Sequence, residues 1–317
     1  MKNSNFVTLS VFCLIFLSRP FFSLSATERC NPNDKKVLLQ IKQALNNPYQ
    51  LASWNPNTDC CDWYVVDCDP NNNRIVTFNL FSANISGQIP TAIGDLPYLE
   101  TLVFRQLTNV TGRIPAAIAK LTNLKLLRLS YTNLTGPVPI FLTQLKNLTF
   151  LDLSFNDLTG SVPAELSLLR NLNALHLDRN RLTGTIPESF GKFTGKVPDL
   201  YLSHNNLTGS VPLSLGDVSF LFGRNNTIQI VNFSRNMFEF NLSNVQFPDS
   251  LTSLDLNHNM ISGSLPQDLT KLNLQFLNVS YNRLCGQIPT GGKLQSFDIS
   301  SYLHNKCLCG APLPACN

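Results

Sequence analysis

Residues Leu148–Asn156, with the sequence LTFLDLSFN, contain the pattern that decides the fold. Leucines alternate with polar residues over a short stretch, which buries one face of a strand and leaves the other in solvent. The closing Asn156 can turn inward and satisfy backbone groups that bend away from the sheet. The pattern recurs in Leu172–Asn180 (LNALHLDRN), Leu251–Asn259 (LTSLDLNHN) and Leu274–Asn282 (LQFLNVSYN).

A second signal, Gly-x-[Ile/Val/Leu]-Pro, gives this pattern its period. It occurs at Gly87, Gly112, Gly136, Gly160, Gly184, Gly209, Gly263 and Gly286. The steps are 23–25 residues, apart from one of 54. Glycine permits the turn, and Ile-Pro indicates a second, edge-like strand where a missing N–H is tolerated. A repeat of about 24 residues with L-x-x-L-x-L-x-x-N is the leucine-rich repeat.

The repeats predict a solenoid. Nine strand segments begin near Ile75, Leu99, Leu124, Leu148, Leu172, Val197, Ile228, Leu251 and Leu274. One repeat cannot bury its leucines alone, and only stacking makes a continuous core. We therefore predict an α/β solenoid, a right-handed leucine-rich-repeat superhelix with a parallel sheet on its concave face. The predicted parts are an N-terminal cap at 26–74, repeats at 75–290 and a C-terminal cap at 291–317.

The region near residues 210–226 breaks the period. From Gly209 to the matching Phe240 the interval is 31 residues, whereas two ordinary repeats take about 48. Ser210–Asn226 joins the start of one repeat to the end of the next, so roughly 17 residues and one strand are absent. A clean deletion would leave the core stacked but alter the concave face and the register beyond it.

Residues 1–25 indicate a secretory signal. Lys2 precedes the apolar run Phe6–Leu17, and Ser23 and Ser25 supply small residues before a cleavage site. The run is shorter than the roughly 18 residues of a spanning helix. No later segment is long and apolar enough to span, so we expect a secreted chain with no membrane span.

The cysteines indicate how the ends are closed. Without Cys13 in the signal, two groups of four remain: Cys30, Cys60, Cys61 and Cys68, then Cys285, Cys307, Cys309 and Cys316. An even number in an oxidising compartment favours disulfides over zinc, and we expect no metal and no cofactor. Each group allows three pairings; the local ones are Cys30–Cys60, Cys61–Cys68, Cys285–Cys307 and Cys309–Cys316. They would staple the caps, the first of which also carries an amphipathic helix over Asn33–Leu45, capped by Asn33.

Composition excludes some partners and suggests glycans. Charged residues are 14% of the chain, against about 25% in a typical soluble protein, and a formal charge of +4 gives no case for nucleic acid. Asn-x-Ser/Thr sequons offer N-glycosylation candidates at Asn84, Asn109, Asn133, Asn147, Asn206, Asn225 and Asn241. Two more sequons, at Asn232 and Asn278, would face the concave surface and are expected to be unoccupied.

The chain resembles the plant polygalacturonase-inhibiting proteins over nearly its whole mature length. The specific marks are CNPNDKKVLLQIK (Cys30–Lys42), DCCDW (Asp59–Trp63), LNVSYNRLCGQIP (Leu277–Pro289) and HNKCLCGAPLPAC (His304–Cys316). The resemblance implies a cell-wall defence protein, not an enzyme, that binds fungal endo-polygalacturonases and blocks pectin cleavage. Pectin itself is a further candidate partner. The family usually carries ten repeats, whereas this chain shows nine strand segments.

The predicted partner-binding set consists of outward-facing residues of the concave strands. Its members are Arg128, Tyr131, Asp152, Phe155, His176, Asp178, Arg179, Asp199, Tyr201, His204, Asp255 and His258. Aromatic and arginine side chains anchor interfaces. A pectin-cleaving enzyme binds a polyanion, so an acidic concave centre would complement its basic cleft.

Three alternative functions remain open. A secreted recognition or co-receptor module would use the same repeat. An ice-binding protein would need a flat, regular array of polar groups, which the varied concave residues do not supply. An enzyme is disfavoured, because no nucleophile lies in a Gly-x-Ser-x-Gly elbow.

Overall fold

A computed structural model describes residues 29–193, 196–211 and 226–316. The predicted signal at 1–25, most of the shortened region and the sequon at Asn225 lie outside the described residues. Across the three described stretches, no helix has the length and apolar character needed to cross a membrane.

The described residues form one α-helix, α1 (Pro32–Ala44), and short β-strands. In chain order, the strands are β1 (Val66–Cys68), β2 (Ile75–Phe81), β3 (Ser86–Gln88), β4 (Thr101–Gly112), β5 (Leu126–Pro137), β6 (Phe150–Asp152), β7 (Asp157–Ser161), β8 (Ala174–His176), β9 (Arg181–Gly184), β10 (Asp199–Tyr201), β11 (Asn206–Gly209), β12 (Ile230–Asn232), β13 (Met237–Phe238), β14 (Ser253–Asp255), β15 (Ser262–Gly263), β16 (Phe276–Asn278), β17 (Arg283–Gln287) and β18 (Cys307–Cys309).

One strand from each repeat joins a parallel sheet on the concave face. Its order is β2, β4, β5, β6, β8, β10, β12, β14, β16, with β1 antiparallel to β2 at the N-terminal end. The inward leucines of the pattern, such as Leu151 and Leu153, are fully buried. This stacked core and parallel sheet confirm the predicted leucine-rich-repeat solenoid.

A second parallel sheet follows the turn in each repeat. It contains β3, the ends of β4 and β5, then β7, β9, β11 and β13, while β15, β17 and β18 form a separate part near the C-terminus. The Ile-Pro prolines lie after these strands and not inside them, as at Pro163 and Pro187, where each precedes a short 3-10 helix. Such helices span Thr91–Asp95, Ala116–Lys120, Ile140–Gln144, Ala164–Leu168, Glu188–Lys192, Leu242–Asn244 and Gln267–Lys271.

The asparagine that closes each strand segment ties its repeat to the preceding one. The Asn156 amide donates to the carbonyl oxygens of Leu129 at 2.7 Å and Leu153 at 3.1 Å, and its Oδ1 accepts from the Leu134 N–H at 3.2 Å. Equivalent bonds recur at Asn180, Asn205, Asn236, Asn259, Asn282 and Asn305. The ladder therefore continues to Asn305, past residue 290 where the sequence placed the last repeat.

The N-terminal cap covers the first repeat with a helix and aromatic rings. Helix α1 begins at Pro32 with Asn31 as its N-cap, so the prediction of Asn33 as the cap is wrong; proline fits the first helical position. Buried Asp34 forms two 2.8 Å bonds with the Arg74 guanidinium. Trp54 packs on Phe78 with ring centroids 5.4 Å apart.

Four disulfides lie at the two ends of the solenoid. Cys30 pairs with Cys60 and Cys61 with Cys68, with Cα atoms 5.4 and 5.3 Å apart. Cys285 pairs with Cys307 and Cys309 with Cys316, at 4.3 and 5.1 Å. These are the local pairings favoured by the sequence. The sulfurs of Cys30, Cys61 and Cys68 lie within 4.8 Å of one another, but each is in a disulfide and supplies no thiolate to a metal.

The concave sheet is continuous across the shortened interval. Leu200 of β10 is the partner of Val231 of β12, in the same parallel arrangement in which Leu200 pairs with Leu175 of β8. The strands on either side of the interval are therefore neighbours in the sheet.

Candidate functional site: the concave face

The residue before each ladder asparagine, or before Leu107 and Thr132 at the same position of the earlier repeats, has a left-handed backbone. Its φ angle is 53–60° at Gln106, Tyr131, Phe155, Arg179, His204, Arg235, His258, Tyr281 and His304. Bulky non-glycine residues adopt this conformation rarely, and its recurrence at one repeat position shows that the repeat turn imposes it. These side chains consequently form a row along one edge of the concave face.

Aromatic rings from neighbouring repeats stack across this face. Tyr131 and Phe155 lie 3.7 Å apart between ring centroids, and His176 and Tyr201 lie 4.0 Å apart, both nearly parallel. The Arg179 guanidinium sits 4.8 Å from the Phe155 ring. The strand spacing of about 4.8 Å brings side chains at one repeat position into this kind of contact. The stacks hold the rings in place while leaving each partly accessible.

Three of the four predicted concave carboxylates are engaged within the chain. Asp152 is only 6% exposed and accepts a 2.8 Å bond from the Arg128 guanidinium. Asp199 accepts the backbone N–H groups of Gln229 and Ile230, each at 2.9 Å. Asp255 accepts the backbone N–H of Asn257 at 3.2 Å. Only Asp152 has a cationic partner; the N–H groups that bind Asp199 and Asp255 are neutral, so they hold these carboxylates in place without cancelling their charge.

The fourth carboxylate, Asp178, has a raised pKa and no cationic hydrogen-bond partner among the described residues. Burial, together with the nearby Asp152 carboxylate, raises the pKa of Asp178 to about 6, against the opposing effect of Arg179. Burial also lowers the pKa of His176, whose Nδ1 lies 3.8 Å from Asp178 Oδ1. The contact is too long for a hydrogen bond, so the structure does not give this pair the geometry of an acid–base dyad.

A shallow depression of about 480 Å³ occupies the C-terminal half of the face. Its lining is polar and consists of Asp178, Arg179, Ser203, His204, Asn232, Ser234, Arg235, Asp255, Asn257, His258, Asn278, Ser280, Tyr281 and Ser300. The buried Nδ1 of His204 has no hydrogen-bond partner among the residues described. Burial, followed by the nearby guanidiniums, lowers the pKa of His204 and of His258, with Arg235 acting on both.

Sequence reasoning placed all twelve predicted residues on this face but left two neighbours out of the set. Arg235 and Tyr281 line the depression together with the predicted His204 and His258. Tyr281 stacks on His258 at 4.1 Å. The signal that could have found them is their position immediately before the ladder asparagine.

The described sequons separate by exposure. Asn84, Asn109, Asn133, Asn147, Asn206 and Asn241 are exposed. Asn232 and Asn278 are half-buried on β12 and β16, and each side-chain oxygen accepts the hydroxyl of the serine two residues later, at 2.8 and 2.7 Å. Exposure makes the first group accessible for modification.

Comparisons with known proteins agree with this architecture. The family model "Leucine rich repeat N-terminal domain" matches residues 31–69, and "Leucine Rich Repeat" matches 147–169, 171–193, 199–218, 250–272 and 273–292. The solved structure of a plant ice-binding protein is 55% identical, with a TM-score of 0.79 over 91% of this chain and 99% of that one. The ectodomain of a plant membrane receptor kinase from Arabidopsis thaliana is 28% identical, with a TM-score of 0.71 over 87% of this chain and 33% of that one.

A curated relative aligns over the entire length. The polygalacturonase inhibitor of Vitis vinifera is 64% identical over 334 aligned positions, covering 100% of both chains. Relatives from Pyrus communis and Arabidopsis thaliana, each 62% identical over at least 96% of this chain, are also named polygalacturonase inhibitors, which agrees with the expectation that the chain is not an enzyme. The chain belongs to the polygalacturonase-inhibitor family of leucine-rich-repeat proteins.

Proposed function

We propose that the chain is a secreted inhibitor of fungal endo-polygalacturonases, which acts in the plant cell wall. It binds the enzyme through the concave face and blocks pectin degradation. The observation that carries the proposal is the presence of two partly accessible aromatic stacks, Tyr131–Phe155 and His176–Tyr201, on the continuous concave sheet. They stand in a chain that aligns end to end with a polygalacturonase inhibitor.

The mode of inhibition follows from the shape of the face. A solenoid presents an extended concave surface, which can cover the mouth of an enzyme cleft and exclude a polymeric substrate. Pre-stacked rings lose little conformational entropy on binding, so they suit the anchor role that aromatic residues play in interfaces.

The shortened interval bears on how much of that face remains. The alignment with the Vitis vinifera inhibitor has 334 positions, whereas this chain has 317 residues. The difference supports the loss of a segment about the size of the missing part of a repeat. Because β10 and β12 pair directly, the loss makes the concave face one strand shorter along the solenoid but does not interrupt the sheet.

Inhibition is tested by mixing the purified protein with fungal endo-polygalacturonases and following the release of reducing ends from pectin. Phe155→Ala and Tyr201→Ala are each expected to raise the inhibition constant by roughly tenfold, as for interface anchors. Tyr49→Ala is the matched control, because Tyr49 is 88% exposed on the N-terminal cap. No inhibition across a broad panel of enzymes would refute the proposed function.

Ice binding is a second candidate, favoured by the similarity to a plant ice-binding protein. Exposed Thr135, Thr159 and Thr183 occupy one repeat position on successive strands of the second sheet. The strand register offsets each threonine by two residues from the next, because Thr135 pairs with Asp157 and Thr159 with Arg181, so the three hydroxyls form a slanted row. Thermal hysteresis of the purified protein tests this candidate, and Thr159→Val should reduce it if the row contacts ice.

A further inference from the structure

In several repeats, two N–H groups at the start of a concave strand bind one backbone carbonyl of the preceding repeat. The N–H groups of Thr149 and Phe150 both donate to the Lys125 carbonyl, at 2.7 and 3.1 Å. The same arrangement recurs with three other pairs of donors: Lys125 and Leu126, Thr252 and Ser253, and Gln275 and Phe276. These contacts seat the start of each strand against its neighbour.

The strand that follows the shortened interval is held differently. β10 pairs with β8 from Asp199 onward, which puts Pro198 at the repeat position of the accepting carbonyl. The N–H groups of Gln229 and Ile230 donate instead to Oδ1 of the Asp199 side chain, each at 2.9 Å. A carboxylate oxygen thus takes the place of the backbone acceptor at this junction.

The pairing of β10 with β12 also begins one residue late. Its first pair is Leu200 with Val231. The pairings of β8 with β10 and of β12 with β14 each include the first residue of both strands. The Asp199 side chain therefore reaches from β10 to the start of β12 at the point where the two backbones are not paired.

The binding surface lies on both sides of this junction. The concave depression is lined by His204, which precedes the shortened interval, and by His258, which follows it. The His176–Tyr201 stack ends on β10, where Tyr201 is the register partner of Asn232 on β12. The position of β12 against β10 consequently sets how the two halves of the concave face stand relative to each other.

We propose that Asp199 is a positioning residue: its Oδ1 seats β12 against β10 and thereby holds the two halves of the concave face in one binding surface. This role depends on the two hydrogen bonds and not on contact between the Asp199 charge and the bound enzyme. Its importance for inhibition rests on the proposed function, whereas the seating of β12 does not. It revises the expectation from the sequence, in which Asp199 is one of the acidic contacts for the enzyme.

An asparagine at this position separates the two roles of the carboxylate. Both bonds go to the same oxygen, and an amide oxygen also has two lone pairs. Asp199→Asn therefore keeps the acceptor and removes the charge, whereas Asp199→Ala removes both. Ser253→Ala is the control, because Ser253 has the same repeat position on β14 and its N–H is bound by the Gln229 carbonyl.

Hydrogen exchange followed by mass spectrometry on the full-length protein measures the seating of β12, because amide exchange reports local opening. In Asp199→Ala, the amides of Gln229 and Ile230 lose their acceptor, so they should exchange at least about tenfold faster than in the wild type. Asp199→Asn should restore most of the protection, and Ser253→Ala should match the wild type at residues 229–232. Unchanged exchange of this segment in Asp199→Ala would overturn the proposal.

Inhibition of fungal endo-polygalacturonases by the same variants measures the effect on the binding surface. Asp199→Ala should raise the inhibition constant by about fivefold or more, and Asp199→Asn and Ser253→Ala by under about twofold. Equal losses in Asp199→Asn and Asp199→Ala would overturn the proposal, because they would mean that the enzyme contacts the charge. Faster exchange in Asp199→Ala with unchanged inhibition would overturn it as well.

The two measurements keep this proposal apart from the proposed function. If the wild-type protein inhibits no polygalacturonase, the proposed function fails and exchange alone decides the seating of β12. Faster exchange in Asp199→Ala that Asp199→Asn reverses then supports the seating, and any other pattern overturns it. If circular dichroism shows that Asp199→Ala does not fold, Asp199→Asn decides: inhibition at the wild-type level supports the positioning role, and loss of inhibition overturns it.

Discussion

Replacing Asp178 by asparagine is expected to stabilise the protein at neutral pH. Burial and the Asp152 carboxylate raise the pKa of Asp178 from 3.8 to about 6. At about 1.4 kcal/mol per pH unit, this difference corresponds to about 3 kcal/mol of lost stability when the carboxyl is ionised in the folded state. Asp178→Asn removes the charge and keeps a side chain of similar shape, so most of that cost should be recovered.

The pH dependence has a definite sign. The folded protein holds the Asp178 proton more tightly than the unfolded chain does. Below about pH 4 both states are protonated, and the carboxyl has no effect on stability. Between about pH 4 and 6 the unfolded chain ionises first, so stability falls as the pH rises. Above pH 6 both states are ionised and the full penalty applies.

Thermal unfolding followed by circular dichroism at pH 3.5 and 7.5 measures this effect. Asp178→Asn should raise the melting temperature by about 5 °C at pH 7.5 and by little at pH 3.5. Asp157→Asn is the control: Asp157 lies on the second sheet, 2.7 Å from the exposed Arg181 guanidinium, and such pairs contribute at most about 1 kcal/mol. Destabilisation by Asp178→Asn, or an equal gain at both pH values, would refute the reasoning.

Three further predictions concern the ladder, the cap and the sequons. Asn180→Ala removes the side-chain acceptor of the buried Leu158 N–H and one of the two asparagine donors to each of the Leu153 and Leu177 carbonyls. It should lower the free energy of unfolding in urea by about 2–4 kcal/mol. Asn171→Ala removes one exposed bond to Lys146 and should cost under about 1 kcal/mol; equal losses would contradict the ladder's role. Asp34→Asn breaks the buried ion pair with Arg74 and should lower the free energy of unfolding by about 3–5 kcal/mol. Its control, Asp95→Asn, breaks the exposed pair with Lys120 and should lower that free energy by under about 1 kcal/mol in the same urea titration. Glycopeptide mass spectrometry of protein made in plant cells should find glycans among the exposed sequons and none at Asn232 or Asn278; a glycan at Asn232 in protein that still inhibits would oppose the proposed binding face.

The solenoid could be predicted from the sequence because its determinants are local and periodic. Leu151, Leu153 and Asn156 fall at fixed offsets, and the same offsets recur in most repeats. The inward and outward positions follow from strand alternation alone. The helix cap was misplaced by two residues, because both Asn31 and Asn33 are acceptable caps. Only the backbone at Asn31, followed by a proline, decides between them.

The sequence by itself determined the repeat, the two stapled ends and the set of side chains that face the concave surface. It could not determine which of those side chains carry free charge, because Arg128 and Asp152 are 24 residues apart and meet only when their strands stack. Asp199 is likewise occupied by backbone N–H groups about 30 residues further along the chain. Charge on a solenoid is set between repeats, by the register of neighbouring strands. Stacking therefore pairs Asp152 with Arg128 and ties Asp199 to the next strand, while it leaves Asp178 without a hydrogen-bonded cation among the described residues.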